Sequence, residues 1–109
     1  MSISFDQLAA GKLGQIERKI KALGALILVN ELSTGEFERL QEIDDEEART
    51  IEFLIAGLSD GSDKRMTAQQ AKNFMENNTF KAVREVLNAI FEVNGVEFVT
   101  GDEDSPGNG

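Results

Sequence analysis

The sequence predicts an α+β fold, mainly α: a short N-terminal helix and a β-hairpin, then about four helices and a disordered acidic C-terminal tail. Three observations carry this. Polar and apolar residues alternate over residues 15–22 and are followed by an aliphatic run over 25–29, as two neighbouring strands would be. Segments after residue 32 begin at Ser, Thr, Asp or Asn and continue with apolar residues at three- and four-residue spacing, the pattern of capped amphipathic helices. Beyond Val99 there is no large apolar residue, and Asp102, Glu103 and Asp104 make the end acidic, so it cannot bury enough surface to offset the entropy of ordering.

Taken in order, Phe5, Leu8 and Ala9 follow Ser4 at helical spacing and stop at Gly11, where a missing side chain favours a helix end. In the hairpin, Ile16 and Ile20 share one parity and Glu17, Lys19 and Lys21 the other. Two turns are open. A two-residue turn at Leu23 and Gly24 places Lys19 and Lys21 opposite Leu28 and Leu26; a three-residue loop with a left-handed Gly24 places them opposite Ile27 and Ala25. Either register sets lysines beside aliphatic side chains.

Ser33 and Glu36 have the spacing of a capping box, in which hydroxyl and carboxylate each accept a free backbone N–H; a helix through Phe37, Leu40 and Ile43 follows. Asp44 or Asp45 caps a longer helix, with the acids at 44–47 on the positive end of its dipole and a stripe at Ile51, Leu54, Ile55 and Leu58. Residues 59–64 are turn-rich. Thr67 and Gln70 form a second capping box before Ala71, Phe74 and Met75. Thr79 or Asn78 caps the last helix, whose Val83, Val86, Leu87, Ile90 and Phe91 make the clearest apolar face, closed at Gly95 with Val96 placed for a terminal apolar contact. One globular domain over 1–99 and a tail over 100–109 are expected.

The chain of 109 residues has no His, Cys, Trp or Tyr. Thiol chemistry, disulfides, imidazole acid/base work and the usual zinc ligand sets are excluded with them, and a protein that is not an enzyme and needs no cofactor is expected. Eleven Lys and Arg against twenty Asp and Glu give −9, which repels nucleic-acid phosphates and anionic lipid surfaces. The start, MSISFDQLAAGK, lacks a basic stretch followed by a signal-length apolar core, and the 25–29 run is too short to span a bilayer. A soluble, cytoplasmic protein is the expectation.

Two sharper readings meet plainer ones. Counted from Asp60, a calcium loop would need glycine where Arg65 stands and a carboxylate where Ala71 stands, which leaves a solvated turn. The acids at 42–47 already have a helix start to stabilise. Phe53 falls off its helix's stripe and Phe98 lies past the last helix, so each is open as a partner contact or a cover over the core edge. Residues 1–24 carry Lys12, Arg18, Lys19 and Lys21 against Asp6 and Glu17, a basic end on an acidic chain. The candidate partner-binding surface is therefore the outer hairpin face, Lys19, Lys21, Leu26 and Leu28, with Phe98. The plainer alternative is that the lysine stems cover aliphatics and guard a sheet edge.

In that order, ERKIKALGALILVNELSTGEF, IEFLIAGLSDGSDKRMTAQQA and VREVLNAIFEVNGV resemble the tail assembly chaperones of long-tailed, siphovirus-type bacteriophages. The shared pattern is an aliphatic strand and helix start at Glu31, Leu32 and Ser33, an acidic patch at 44–47, an apolar helix at 51–58, a turn at 60–63, Met66 and Thr67 before a capped helix, and a last helix ending at Asn94 and Gly95. Ser62 and Asp63 replace the family's glycine-containing run, and no role is carried across to them. The resemblance implies a protein that binds the very long, helical tape measure protein in the host bacterial cytoplasm. It would keep that client soluble until tail tube protein polymerises around it, then be absent from the finished virion. A longer frameshifted product would contact the tail tube protein; Pro106, Gly107 and Asn108 can be encoded by CCGGGAAAY, which contains a slippery heptamer. A weak homo-oligomer is compatible with this role. The charge alone also suggests an acidic DNA mimic that blocks a nucleic-acid-binding protein.

Overall fold

Residues 2–62 and 64–96 are described by the computed structural model. Along the chain run α1 (Phe5–Ala10), β1 (Gln15–Ile20), β2 (Ala25–Asn30), α2 (Thr34–Gln41), α3 (Glu46–Gly57), β3 (Leu58–Ser59), α4 (Ala68–Asn77) and α5 (Phe80–Val93). The architecture is the expected α+β one, with helix and hairpin leading and four helices after them. A third strand completes an antiparallel sheet of order β1-β2-β3.

Short polar side chains start the helices. Ser4, Ser33, Asp45, Thr67 and Thr79 each accept a backbone N–H from the first turn of the following helix, satisfying donors that no helical carbonyl can reach. The Thr67 and Gln70 box closes in both directions. At Ser33 only the hydroxyl half forms, because the Glu36 carboxylate lies 3.8 Å from Arg65 instead of folding back. At the far end of α5, Val96 N–H reaches the Phe91 carbonyl and Gly95 N–H the Glu92 carbonyl, with Gly95 at φ +78°. This is the Schellman arrangement, and Val96 packs on the core as expected.

The hairpin adopts neither register anticipated from the sequence. Ile20 pairs with Ala25 and Lys19 with Leu26, so the loop is four residues, 21–24. Gly24 N–H bonds back to the Ile20 carbonyl at 2.9 Å with Gly24 left-handed at φ +64°. Glu85 of α5 selects this longer turn: its two carboxylate oxygens accept the Lys21 and Ala22 N–H groups at 2.7 and 3.0 Å. Lys21 therefore leaves the strand.

The core is built where α5 crosses the inner face of the sheet and α3 packs beside it. Ile20, Val29, Leu54, Val86 and Ile90 are its largest fully buried side chains. Phe53, off the predicted stripe, is 3% exposed and packs with Phe37 and Phe91 at ring-centroid separations of 5.3 and 5.0 Å. It is a core residue. Leu58, read as the end of that stripe, belongs to β3 and pairs with Val29, while Ser59, read as loop, pairs with Leu28. Two asparagines tie the ends together: Asn30 donates to the Ala56 and Leu58 carbonyls, and Asn94 accepts from Leu32 N–H while donating to the Asn30 and Ile90 carbonyls. α1 stands apart, with no buried residue.

Candidate functional site

Cross-strand partners share a sheet face, so the observed register decides what the hairpin presents outward. Glu17, Lys19, Leu26 and Leu28 lie on the outer face; Ile16, Arg18, Ile20, Ile27 and Val29 lie on the inner one. Of the side chains expected at a partner surface, Lys19, Leu26 and Leu28 are thus brought together. Lys21 is not, since its backbone is held in the turn by Glu85. Phe98 and the tail over 100–109 lie outside the described residues.

The outer face is the floor of a groove of about 810 Å³. Leu26, Leu28 and Met66 line it with apolar side chains, and Glu17, Asp60, Lys64 and Arg65 with charged ones. Leu26 is 62% exposed, a large aliphatic side chain on a strand with little to cover it. The far wall, where Lys64, Arg65 and Met66 stand, follows a turn pinned by Asp60. Its carboxylate accepts the Ser62 hydroxyl at 2.6 Å and the Ser62 N–H at 3.0 Å, and those two bonds hold its pKa below the ordinary 3.8, the hydroxyl first. Thr67 begins α4 immediately after. Both walls are therefore set by backbone structure, one by strand pairing and one by a pinned turn leading to a capped helix.

Sequence reasoning placed the aliphatic half of this groove but missed its opposite wall. Residues 64–66 have no periodicity of their own, and only the Thr67 cap signalled that they would be held near a helix start. A second depression, of about 760 Å³, lies between α3 and α5 over Phe53, Met75, Phe80, Val83, Leu87 and Phe91. At its edge the Phe80 ring is 73% exposed, with the Arg84 guanidinium 5.1 Å from the ring centroid. Its signal was present: positions 80, 83, 87 and 91 form a second stripe beside the one that faces the sheet.

Among the described residues, no three carboxylates come together as a candidate metal site, and no helix is long and apolar enough to cross a membrane. Asp45 to Glu47 serve the start of α3, where Asp45 caps the Ala48 N–H at 2.8 Å. What the grooves can do chemically is bury another molecule's apolar surface between charges of both signs. No family model, curated protein or solved structure matches the chain.

Proposed function

We propose that this chain is an assembly chaperone of the kind its sequence resembles, holding the helical tape measure protein of a phage tail in the host cytoplasm until tail tube protein closes around it. The observation that carries the reading is the groove beside the outer hairpin face. An amphipathic client helix would lay its apolar stripe on Leu26, Leu28 and Met66, while Glu17, Lys64 and Arg65 meet its polar flanks. Contact is weak per site and repeated along the client. The net charge of −9 keeps such a crowded complex soluble. Contact with the tail tube protein is assigned to the longer frameshifted product.

The test is co-expression with the tape measure protein, followed by co-purification and assay of the client's solubility. Leu26→Glu puts a charge where the client's apolar stripe should sit, and burying one leucine side chain contributes about 1.5–3 kcal/mol, so binding should weaken roughly tenfold or more. Lys19→Glu should weaken it less, and Lys21→Glu, in the turn, should leave it unchanged. Equal binding by wild type and Leu26→Glu would remove the groove from the proposal. Capture from infected cells of a nuclease or repressor in place of a tail protein would favour the acidic-mimic alternative.

A further inference from the structure

The outer edge of β1 carries a pattern complementary to itself. Glu31 N–H donates to the Gly14 carbonyl, and with the observed register this makes Gly14, Ile16, Arg18 and Ile20 the residues bonded to β2. Alternation then turns the backbone N–H and C=O of Gln15, Glu17 and Lys19 away from β2, and among the described residues β1 is an outer strand of the sheet. An edge of this kind is a template for another strand.

We infer that β1 pairs with β1 of a second copy, antiparallel about a two-fold axis through Arg18, giving a dimer with one continuous six-stranded sheet. The sequence of the edge selects both the occupant and the register. Outward-facing residues must pair with outward-facing residues, so allowed registers differ by two positions. Centred on Arg18, Glu17 of each copy stands opposite Lys19 of the other, twice, with about four inter-chain backbone hydrogen bonds. Centred on Glu17, two carboxylates face each other; centred on Lys19, two ammonium groups do, and like charges directly opposite are unfavourable.

The inner face accommodates the same register. That register sets Arg18 opposite Arg18 of the second copy, one like-charge pair that each arginine's own Glu92 at 3.3 Å offsets and that stands against two Glu17–Lys19 attractions. Ile16, 39% exposed, lies beside Ile20 of the second copy, which its own chain already covers to 1%. Neither Glu17 nor Lys19 has a side-chain ion pair or hydrogen bond among the described residues. Both grooves would open on one face of the joined sheet, although the pairing holds whatever the client is.

The experiment is sedimentation of the full chain over a concentration series. Wild type should show a reversible monomer–dimer equilibrium. Glu17→Lys and Lys19→Glu, each creating two like-charge contacts at exposed positions, should raise the dissociation constant at least tenfold with an unchanged circular dichroism spectrum. The charge-swapped double variant should dimerise again, and an equimolar mixture of the two single variants should form a heterodimer. Hydrogen exchange at the Glu17 and Lys19 amides should slow as wild-type concentration rises. A wild type monomeric at the highest attainable concentration overturns the proposal. So does a dimer indifferent to both reversals, or failure of swap and mixture alike to restore it. Concentration-independent protection of those two amides in a monomer also overturns it, and assigns the edge to the chain's own residues beyond 96.

Discussion

At the scale of single residues, Glu85 shows how one side chain chooses between turns that local sequence leaves open. Leu23 and Gly24 point to a loop of two or three residues; a loop of four forms instead, and Glu85 accepts the two amides it exposes. The Ala22 and Lys21 amides hold the Glu85 carboxyl below its ordinary 4.5. A carboxyl whose folded-state pKa is depressed stabilises the fold fully above its unfolded value, and loses that contribution as pH falls through the folded value. Denaturation midpoints measured across acid pH should therefore fall below about 4.5. In Glu85→Gln this part of the fall should disappear, since an amide oxygen accepts one of the two N–H groups and cannot titrate. Hydrogen exchange at Lys21 and Ala22 should be faster in that variant at neutral pH. Identical exchange in the two proteins would mean that the turn holds without the carboxylate.

At the scale of elements, the helices were legible because their signals are local. Asp45, Thr67 and Thr79 announce their helices through a hydroxyl or carboxylate a few atoms from the amide they cap, and Gly95 ends α5 through its own backbone. What was not legible depends on partners distant in sequence. The two residues of β3 have no periodicity, and become a strand only because Leu28 and Val29 lie alongside. Phe53 fell off the stripe because a stripe assumes one covered side, whereas α3 packs against α2, α4, α5 and β2. Of the candidate site, the aliphatic wall and Lys19 could be read, while the wall at 64–66 and the exclusion of Lys21 awaited the register. Gly57 of α3 lies close against Ile90 of α5. A Cβ at Gly57 would lie 2.8 Å from Ile90 Cγ2 and 2.9 Å from its Cδ1. Helix propensity favours alanine there by about 1 kcal/mol, but overpacking of a closed core costs about 1–3 kcal/mol. Gly57→Ala should be less stable in urea by up to about 2 kcal/mol. Ile90→Val removes Cδ1, so combined with Gly57→Ala it should cost less than the sum of the separate changes. Strict additivity would mean that the helices move apart freely.

At the scale of the whole molecule, the residues before Gly14 expose apolar side chains without contributing to the core, unlike Leu26 and Phe80, which are exposed from packed elements. The sheet is tied in from Gly14 onward, where its N–H donates to the Glu31 carboxylate at 2.8 Å and its carbonyl accepts the Glu31 N–H. Before that point Ile3, Phe5, Leu8 and Leu13 are all largely exposed, Phe5 at 86%. A six-residue helix is too short to stand by propensity, so the Ser4 and Gln7 capping box gives α1 its local order without docking it on the core. Removing residues 2–12 should then change the unfolding free energy by no more than about 0.5 kcal/mol, the usual span for surface changes. The denaturant slope should be nearly unchanged, because that slope scales with the area exposed on unfolding. Removal should also reduce aggregation at neutral pH, since Ile3, Phe5 and Leu8 are lost while the acidic excess of residues 25–109 stays. A loss above about 1 kcal/mol, or a lower slope, would show that α1 packs against the domain in solution. Chemical denaturation of the two chains side by side separates these outcomes.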